Sequence, residues 1–291
     1  MSQGFAFAFF TLGVAVAFRW IKFPDLTGDG SFTLGAVVTA SLINSNISVW
    51  LALPVSMISG CLAGFGTYGM YRYLKVPKIL AGVLMMMGLY TINLRILGRP
   101  NLQILREKSI FSIFPVTIGN VWALYVFLVI GLILLIGCLI LYTFLESRSG
   151  LILRISGANP KMSVVQGISP NKIFWGLGIA NALIALSGAL VAQRSYNADI
   201  HMGVGQVIVA IAALFIGMII FRKANTFHLI AASLSGTIIY MVLMQVALEV
   251  GVKAQDFRLI STLIVLTSIF IAIKSRKSDA LRRGTDVFGI E

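Results

Sequence analysis

Residues 120–143 form the most apolar segment of this chain, and they contain no charged side chain. A segment of this length is long enough to cross a bilayer as a helix, because the hydrocarbon core needs about 20 predominantly apolar residues. Similar runs recur along the 291 residues, of which 58% are hydrophobic and 11% charged. A soluble domain has about 45–50% apolar and about 25% charged residues, and a disordered chain has low hydrophobicity. Both classes are excluded, and the pattern predicts an all-α polytopic membrane protein.

The apolar runs predict about nine transmembrane segments, within a range of eight to ten. Two of them, 31–43 and 205–221, are short, and each follows a glycine-rich stretch. The first three residues carry no basic side chain, so we expect the first run to be retained as a span rather than removed as a signal peptide. The predicted segments are 4–21, 31–43, 50–71, 78–98, 120–143, 173–193, 205–221, 227–249 and 259–273.

The cations of the chain punctuate these apolar runs, and they predict its orientation. The net charge is +13, which alone would also fit a nucleic-acid binder, but the cations do not gather in one basic region. If the C-terminus is cytoplasmic, nine spans place 16 of the 23 Lys and Arg residues on the cytoplasmic side. This excess obeys the positive-inside rule. The same nine spans place the N-terminus outside, whereas a re-entrant second segment would place it inside.

Part of the sequence repeats itself at a distance of 175 residues. Over positions 11–36, six residues are identical to the residue 175 positions later. Five predicted spans separate the two copies, so they have opposite orientations, as in the inverted repeats of transporters. Chance similarity between apolar helices is the alternative explanation. The identical positions are Gly13, Val16, Ala17, Arg19, Gly28 and Gly30, which match Gly188, Val191, Ala192, Arg194, Gly203 and Gly205.

The repeat and the connections divide the chain into a single transmembrane domain, 1–275, and a cytoplasmic tail, 276–291. The central cytoplasmic loop is predicted to contain a helix of about two turns, 160–166. Asn159 suits its N-cap, Pro160 its first position and Gly167 its end. An ordinary surface connector is the alternative. The domain comprises repeat halves of about 4–98 and 173–273, a linker span 120–143 and the loop 146–172.

Seven short motifs stand out along the chain. They are Gly150–Pro160, Gly167-Ile168, Ser187–Leu190, Leu26–Ala36, Phe23–Thr27, Val76–Gly82 and Asn93–Gly98. Together they resemble one family, the ABC importer permeases of the branched-chain amino acid/ribose type. The resemblance covers roughly 4–275, and it narrows to the subgroup paired with an ATPase and a tryptophan-type substrate-binding lipoprotein. The sequence departs from the expected pattern at Gly28, where a bulkier residue such as Val is expected.

The resemblance implies a permease subunit of an ATP-driven importer in the bacterial cytoplasmic (inner) membrane. It also implies a second permease copy in a homodimer, a separate ABC ATPase, which carries ATP and Mg²⁺, and a substrate-binding lipoprotein. The solute is expected to be small, an amino acid or an aromatic compound. In this family the central loop seats the permease on the ATPase. The coupling residues implied here are Arg154, Gly157, Asn159, Pro160, Lys161 and Gly167.

Polar or glycine residues within spans mark candidate positions along the translocation pathway, because polar groups are costly there and irregular backbone is tolerated only where it is buried or lines a cavity. Asp29 is the leading candidate, although its carboxylate would equally satisfy backbone N–H groups or cap the following half-helix. Arg95 would alternatively snorkel outward, and Gln245 would join helices by hydrogen bonds. Met85–Met87 are interpreted as core or lipid-facing residues. The pathway candidates are Gly28, Asp29, Gly30, Asn93, Arg95, Gly203, Gly205 and Gln245.

No constellation of residues predicts an enzyme or a metal site. His201 and His228 lie in different boundary segments on opposite faces. The nucleotide-binding signature Gly-x-x-x-x-Gly-Lys-Ser/Thr is absent from this sequence, so an ATP site by that route must lie on a partner. We therefore expect no cofactor on this chain. A secondary transporter or channel driven by an ion gradient is the alternative function.

Overall fold

The described part of the chain is built almost entirely from helices. The computed structural model describes residues 2–104, 109–110, 119–159, 163, 165–167, 172–221, 225–250, 259, 262–263, 266–267 and 270. Helix α1 continues into a π-helix, Val16–Trp20, and two short strands form a ribbon. The elements are α1 (Ser2–Ala15), α2 (Thr27–Asn44), α3 (Val49–Tyr73), α4 (Lys78–Leu97), β1 (Asn101–Gln103), α5 (Gly119–Glu146), α6 (Arg148–Ala158), α7 (Lys172–Ser195), β2 (Asn197–Asp199), α8 (Gln206–Ile220) and α9 (Thr226–Glu249).

Six helices among the described residues are long and apolar enough to cross a membrane. They lie in α1 with its π-helical end, α3, α4, α5, α7 and α9, while α8 is a shorter apolar helix. The first eight predicted segments each coincide with a described helix. The ninth, 259–273, lies mostly outside the described residues, as does the tail 276–291, so both stay predictions.

Two helices occupy the centre of the molecule. Helices α1 and α7 are mostly buried inside the protein, whereas α4 and α5 are mostly exposed. A helix that is apolar all round is buried in a core or faces lipid, and both cases occur here. The lipid-facing side of α5 exposes a row of leucines and isoleucines, which includes Leu124, Leu128, Leu132, Leu135 and Leu139.

Each central helix packs against elements that are distant in sequence. Helix α7 packs on α2 and α3, and α1 packs on α8 and α9. At the crossing of α2 and α7, a Cβ atom at Gly35 would collide with the backbone of Ala185, and one at Gly188 with the backbone of Phe32. Small residues allow this close approach of two helix backbones.

The loop 146–172, which the sequence analysis predicted to be cytoplasmic, begins with a helix that it did not predict. Helix α6 begins after Ser147, whose hydroxyl accepts a hydrogen bond from the Gly150 N–H at 3.4 Å, as an N-cap does. A Cβ atom at Gly157 would collide with the backbone of Trp20 and Ile21. The end of α6 is therefore held against the π-helical end of α1.

A two-stranded antiparallel ribbon closes the opposite end of the molecule. Leu102 pairs with Ala198 in the register, and both side chains are buried. The Asn44 side chain at the end of α2 donates to the Gln103 carbonyl at 3.1 Å. The ribbon thereby ties together the connections that follow α2, α4 and α7.

Candidate translocation site

Helices α2 and α8 both begin inside the protein. A Cβ atom at Gly28 would lie 2.9 Å from the Val207 side chain and 3.2 Å from that of Ile184. Ile184 stands near the middle of α7, which runs from Lys172 to Ser195. The first turns of α2 and α8 therefore meet halfway along a membrane-spanning helix.

Asp29, in the first turn of α2, caps the N-terminus of α8. Its carboxylate accepts hydrogen bonds from the N–H of Gly205 at 2.8 Å and from the N–H of Val207 at 2.7 Å. The first N–H groups of a helix have no partner within the helix, and a carboxylate there also interacts favourably with the helix dipole. The contact joins the two glycine-rich stretches that the repeat identified.

Asp25 serves the N-terminus of α2 in a similar way. Its carboxylate accepts from the Thr27 N–H at 2.9 Å and from the Asn181 side chain at 2.7 Å. Asn181 in turn accepts from the Ser31 hydroxyl at 2.7 Å. This network ties the segment before α2 to the centre of α7.

A cavity of about 360 Å³ lies between α2, α4 and the segment before α8. Its volume falls within the range of about 300–1,000 Å³ that is typical of small-molecule sites. Its wall is largely apolar and carries a few polar groups. The lining residues are Asp29, Gly30, Thr33, Met86, Met87, Tyr90, Asn93, Ile200 and Val204.

Asn93 is the lining residue with an unsatisfied polar atom. It is 1% exposed, and its amide nitrogen donates to the Gly30 carbonyl at 3.4 Å. Its side-chain oxygen has no hydrogen-bond partner among the described residues. An unsatisfied buried acceptor costs about 1–3 kcal/mol, so this oxygen is a good acceptor for a donor that reaches it.

Aromatic and thioether groups form the wall beside Asn93. The ring of Tyr90 lies 5.8 Å from the ring of His201, between centroids. Met86 and Met87 line the cavity one turn earlier on α4. Methionine side chains adapt to irregular shapes and make favourable contacts with aromatic rings. The wall therefore suits an aromatic or large apolar group.

The structure brings together several of the predicted pathway residues. Asp29, Gly30 and Asn93 line the cavity. Gly203 packs on the Asp29 carbonyl, and Gly205 donates to its carboxylate. The remaining candidates lie elsewhere, since Gly28 packs towards Ile184 and Val207, while Arg95 and Gln245 are exposed and outside the lining.

The sequence analysis missed most of the cavity wall. It interpreted Met86 and Met87 as core or lipid-facing residues and did not assign them to a cavity, whose lining includes both. Met86, Tyr90 and Asn93 are spaced by four and then three residues, which places them on one face of a helix. That spacing would have allowed the cavity-lining face of α4 to be recognised from the sequence. The other missed lining residues are Thr33, Ile200 and Val204.

No cluster of three or more His, Cys, Asp and Glu side chains suitable for a metal ion occurs within the part of the chain that the structure describes. The one charged side chain in the cavity lining is Asp29, and both of its carboxylate oxygens accept hydrogen bonds from backbone N–H groups of the protein. The groups that the cavity offers to a solute are therefore hydrogen-bonding and apolar groups.

The implied coupling residues differ in their surroundings. Arg154 donates to the Thr226 hydroxyl at 2.8 Å and lies 3.5 Å from the Glu146 carboxylate. Asn159 is exposed at the end of α6, and its carbonyl accepts from the Ser163 N–H at 3.0 Å.

The remaining coupling residues are described only in part. Gly167 is exposed and has a φ of +74°, a left-handed conformation that glycine adopts readily. Gly157 is buried beneath α1. Pro160 and Lys161 lie outside the described residues, as does most of the predicted helix 160–166, which stays a prediction.

The chain matches a known permease family over almost its whole length. The family described as "Branched-chain amino acid transport system / permease component" matches residues 1–273. The chain is 33% identical over 269 residues to a "Tyrosine transport system permease protein" of Clostridioides difficile (strain R20291), covering 91% of this chain and 88% of that protein. It is 32% identical over 276 residues to an uncharacterized protein of Rickettsia prowazekii (strain Madrid E), covering 93% and 94%. No solved structure matches the chain significantly.

Proposed function

We propose that this chain, which belongs to the branched-chain amino acid transport permease family, is the membrane-spanning subunit of an ATP-driven importer. The family match over residues 1–273 carries the proposal. It makes the chain a multi-pass membrane transport permease, a class in which the protein moves a solute rather than transforming it. The six apolar helices fit this assignment.

A separate ATPase would supply the energy. This sequence lacks the phosphate-binding signature of such an enzyme. The cytoplasmic loop offers the ATPase a place to dock. The exposed Asn159 and Gly167 bracket the predicted coupling helix 160–166. The Asn159 carbonyl accepts a hydrogen bond from the N–H four residues later, that of Ser163. This is the spacing of an α-helix that begins at Asn159. Nucleotide would bind to the partner, with Mg²⁺.

The packing of the helices supports an inverted repeat. In the proposed halves, α1, α2 and α3 correspond to α7, α8 and α9. Each first helix packs on the second and third helices of the other half. Because the first helix of each half packs within the other half, the two halves are coupled around a central site, as alternating access requires. The ninth span, 259–273, would complete the second half.

A second copy of the chain would close the cavity. Three lining residues are strongly exposed in the single chain, with 63% for Met87, 44% for Tyr90 and 53% for Val204. Apolar exposure on this scale marks lipid or another protein. We place the homodimer contact on this side of α4, so that the pathway runs between two copies.

The solute that fits best is an aromatic amino acid. The relative from Clostridioides difficile is described as a tyrosine transport permease, and Tyr90, Met86 and Met87 offer an aromatic and thioether wall. We further propose a cytoplasmic (inner) membrane location with the C-terminus in the cytoplasm. A substrate-binding lipoprotein would then deliver the solute to the face that carries the β1–β2 ribbon.

Reconstituted transport tests this proposal. Proteoliposomes should contain the chain with its ATPase, oriented so that the binding protein is outside and ATP inside. We expect uptake of labelled tyrosine with ATP, and none with ADP or without the ATPase. Protonophores and sodium ionophores should leave it unchanged. Uptake by the chain alone that collapses with an ion gradient would instead establish the secondary transporter.

A further inference from the structure

The cavity offers almost no free charge to a solute. Asp29 is the one charged side chain in its lining. Its two carboxylate oxygens accept from the backbone of Gly205 and Val207 at 2.8 and 2.7 Å. A solute's ammonium group therefore competes with the N-terminus of α8 for this carboxylate, and another acceptor is better placed to receive it.

The side-chain oxygen of Asn93 is that acceptor. The Gly30 carbonyl accepts from the Asn93 amide nitrogen, which fixes the orientation of the amide, because the reverse orientation would bring two oxygens together. The oxygen consequently points away from Gly30, and it has no partner among the described residues. It accepts from an N–H donor but repels a carboxylate.

The neighbouring groups determine where the rest of the solute lies. Tyr90 is three residues before Asn93 on α4, and Met86 is seven residues before it, so all three share one helix face. Two helical turns, about 10 Å, therefore run from the polar end of this face to its thioether end. An ammonium group at Asn93 directs an attached side chain along Tyr90 towards Met86.

We infer that Asn93 recognises the ammonium group of the transported solute, whose side chain packs on Tyr90 and Met86. The substrate class is an aromatic amine with a free ammonium group, of which aromatic α-amino acids are the members that the proposed function favours. This inference rests on that proposed function. Asn93 then determines specificity within the permease itself, in addition to any selection by a binding protein.

Equilibrium binding to the full chain in lipid nanodiscs tests the inference. Labelled tyrosine is competed with tyramine, which lacks the carboxylate, and with 3-(4-hydroxyphenyl)propionate, which lacks the ammonium group. For the unmodified chain, we expect tyrosine and tyramine to compete at least about tenfold more strongly than the propionate, a difference of about 1.4 kcal/mol.

The variants separate recognition from packing. Asn93→Leu should remove the advantage of tyrosine and tyramine and leave competition by the propionate unchanged. Asn93→Asp gives up the hydrogen bond to the Gly30 carbonyl but retains an acceptor oxygen at this position, so tyramine should still bind more strongly than the propionate. Gln3→Leu, the same kind of change at an exposed site on α1, should leave all three unchanged.

Three results would overturn the inference: no tyrosine binding by the unmodified chain, retained ammonium discrimination in Asn93→Leu, or an equal loss for all three ligands. Equal loss would show that Asn93 is only structural. ATP-driven uptake is measured separately in proteoliposomes. If uptake fails, the proposed function fails; if uptake succeeds but discrimination is independent of Asn93, this inference alone fails.

Discussion

Two aspartates each satisfy the N-terminus of a helix that begins inside the protein. Asp25 accepts from the Thr27 N–H of α2, and Asp29 accepts from the Gly205 and Val207 N–H groups at α8. Backbone N–H groups without water or a partner are costly to bury. These carboxylates therefore allow two helices to begin halfway through the molecule.

Replacing Asp29 should loosen the start of α8. Asn offers only one acceptor oxygen, and its NH₂ group would face a backbone N–H, so we expect Asp29→Asn to cost about 1–2 kcal/mol, as loss of a cap does. Asp29→Ala should cost more. The check is the thermal unfolding midpoint of the purified chain in detergent.

Asp199→Asn is the matched control for that measurement. The Asp199 carboxylate accepts from the His201 N–H at 2.7 Å in an exposed turn, so water replaces the lost contact. We expect little change in its midpoint. An equal shift for the Asp29 and Asp199 variants would show that the interior cap contributes no special stability.

The Asp25–Asn181 pair should be sensitive to loss of either partner. Asn181→Ala removes the donor to one oxygen of the buried Asp25 carboxylate and the acceptor of the Ser31 hydroxyl. Each buried group left unsatisfied costs about 1–3 kcal/mol, and a charged group costs more. We expect the variant to lose its monodisperse peak in size-exclusion chromatography. Asn181→Asp should be as severe, because it opposes two carboxylates.

Exchanging the two residues provides the corresponding rescue. The double variant Asp25→Asn with Asn181→Asp restores one amide donor and one carboxylate acceptor across the same 2.7 Å contact. We expect it to recover part of the monodisperse protein. A double variant that behaves as the sum of both single changes would rule out a direct coupling between these side chains.

At this scale, the sequence predicted residue types better than their partners. Asp29, Gly30 and Asn93 were identified because polar groups and irregular backbone within an apolar run are costly unless they have a structural or functional role. A cap was considered for Asp29, but on the helix that follows it, whereas the structure places the cap on α8. That contact joins residues 176 and 178 positions apart, and local sequence pattern carries no record of it.

At the scale of the helices, glycines determine how closely α2 and α7 approach each other. Gly35 on α2 and Gly188 on α7 each face the backbone of the other helix. By contrast, Gly69 on α3 and Gly88 on α4 have no atom within 4 Å of a built Cβ. The first pair is required by packing, and the second pair is not.

Alanine substitution should separate these two groups of glycines. Gly35→Ala and Gly188→Ala force the helices apart, and overpacking typically costs about 1–3 kcal/mol. Gly69→Ala and Gly88→Ala should be neutral or stabilise by up to about 1 kcal/mol, because alanine favours the helix. Thermal midpoints of the four variants check this. Similar values for all four would contradict the packing argument.

Helix positions followed from the apolar runs, and their ends did not. The expected start of the second segment was residue 31, but α2 begins at Thr27, since Asp25 satisfies its first turn from outside the helix. Helix α6 was missed although Ser147 is a good N-cap, because its residues lack a clear apolar stripe. The β1–β2 ribbon pairs residues about 96 apart, beyond the reach of local pattern.

At the scale of the whole molecule, several cations of the described residues, among them Lys22, Lys78 and Arg154, lie at one end of the helix bundle. Lys78 donates to the Lys22 carbonyl at 3.3 Å, and Arg154 reaches Thr226, so the connections that the charge count assigned to the cytoplasm meet at this end. The opposite end holds the β1–β2 ribbon. The positive-inside rule then predicts which end faces the cytoplasm.

Cysteine labelling in intact cells tests this orientation. The native Cys61 and Cys138 are replaced by serine, and single cysteines are introduced at exposed positions of each end. A membrane-impermeant maleimide should label Arg99→Cys and His201→Cys in intact cells. It should label Tyr73→Cys and Ala158→Cys only in inside-out vesicles, since an exposed thiol reacts where the reagent can reach it.

Labelling at both ends of the molecule is measured on the same preparation. Uptake by each variant confirms that the chain is inserted and active before labelling. A reversed pattern would place the ribbon in the cytoplasm, and the loop that contains Asn159 could then not meet an ATPase. The four accessible positions therefore determine the orientation, and with it they test a condition that the ATP-driven importer requires.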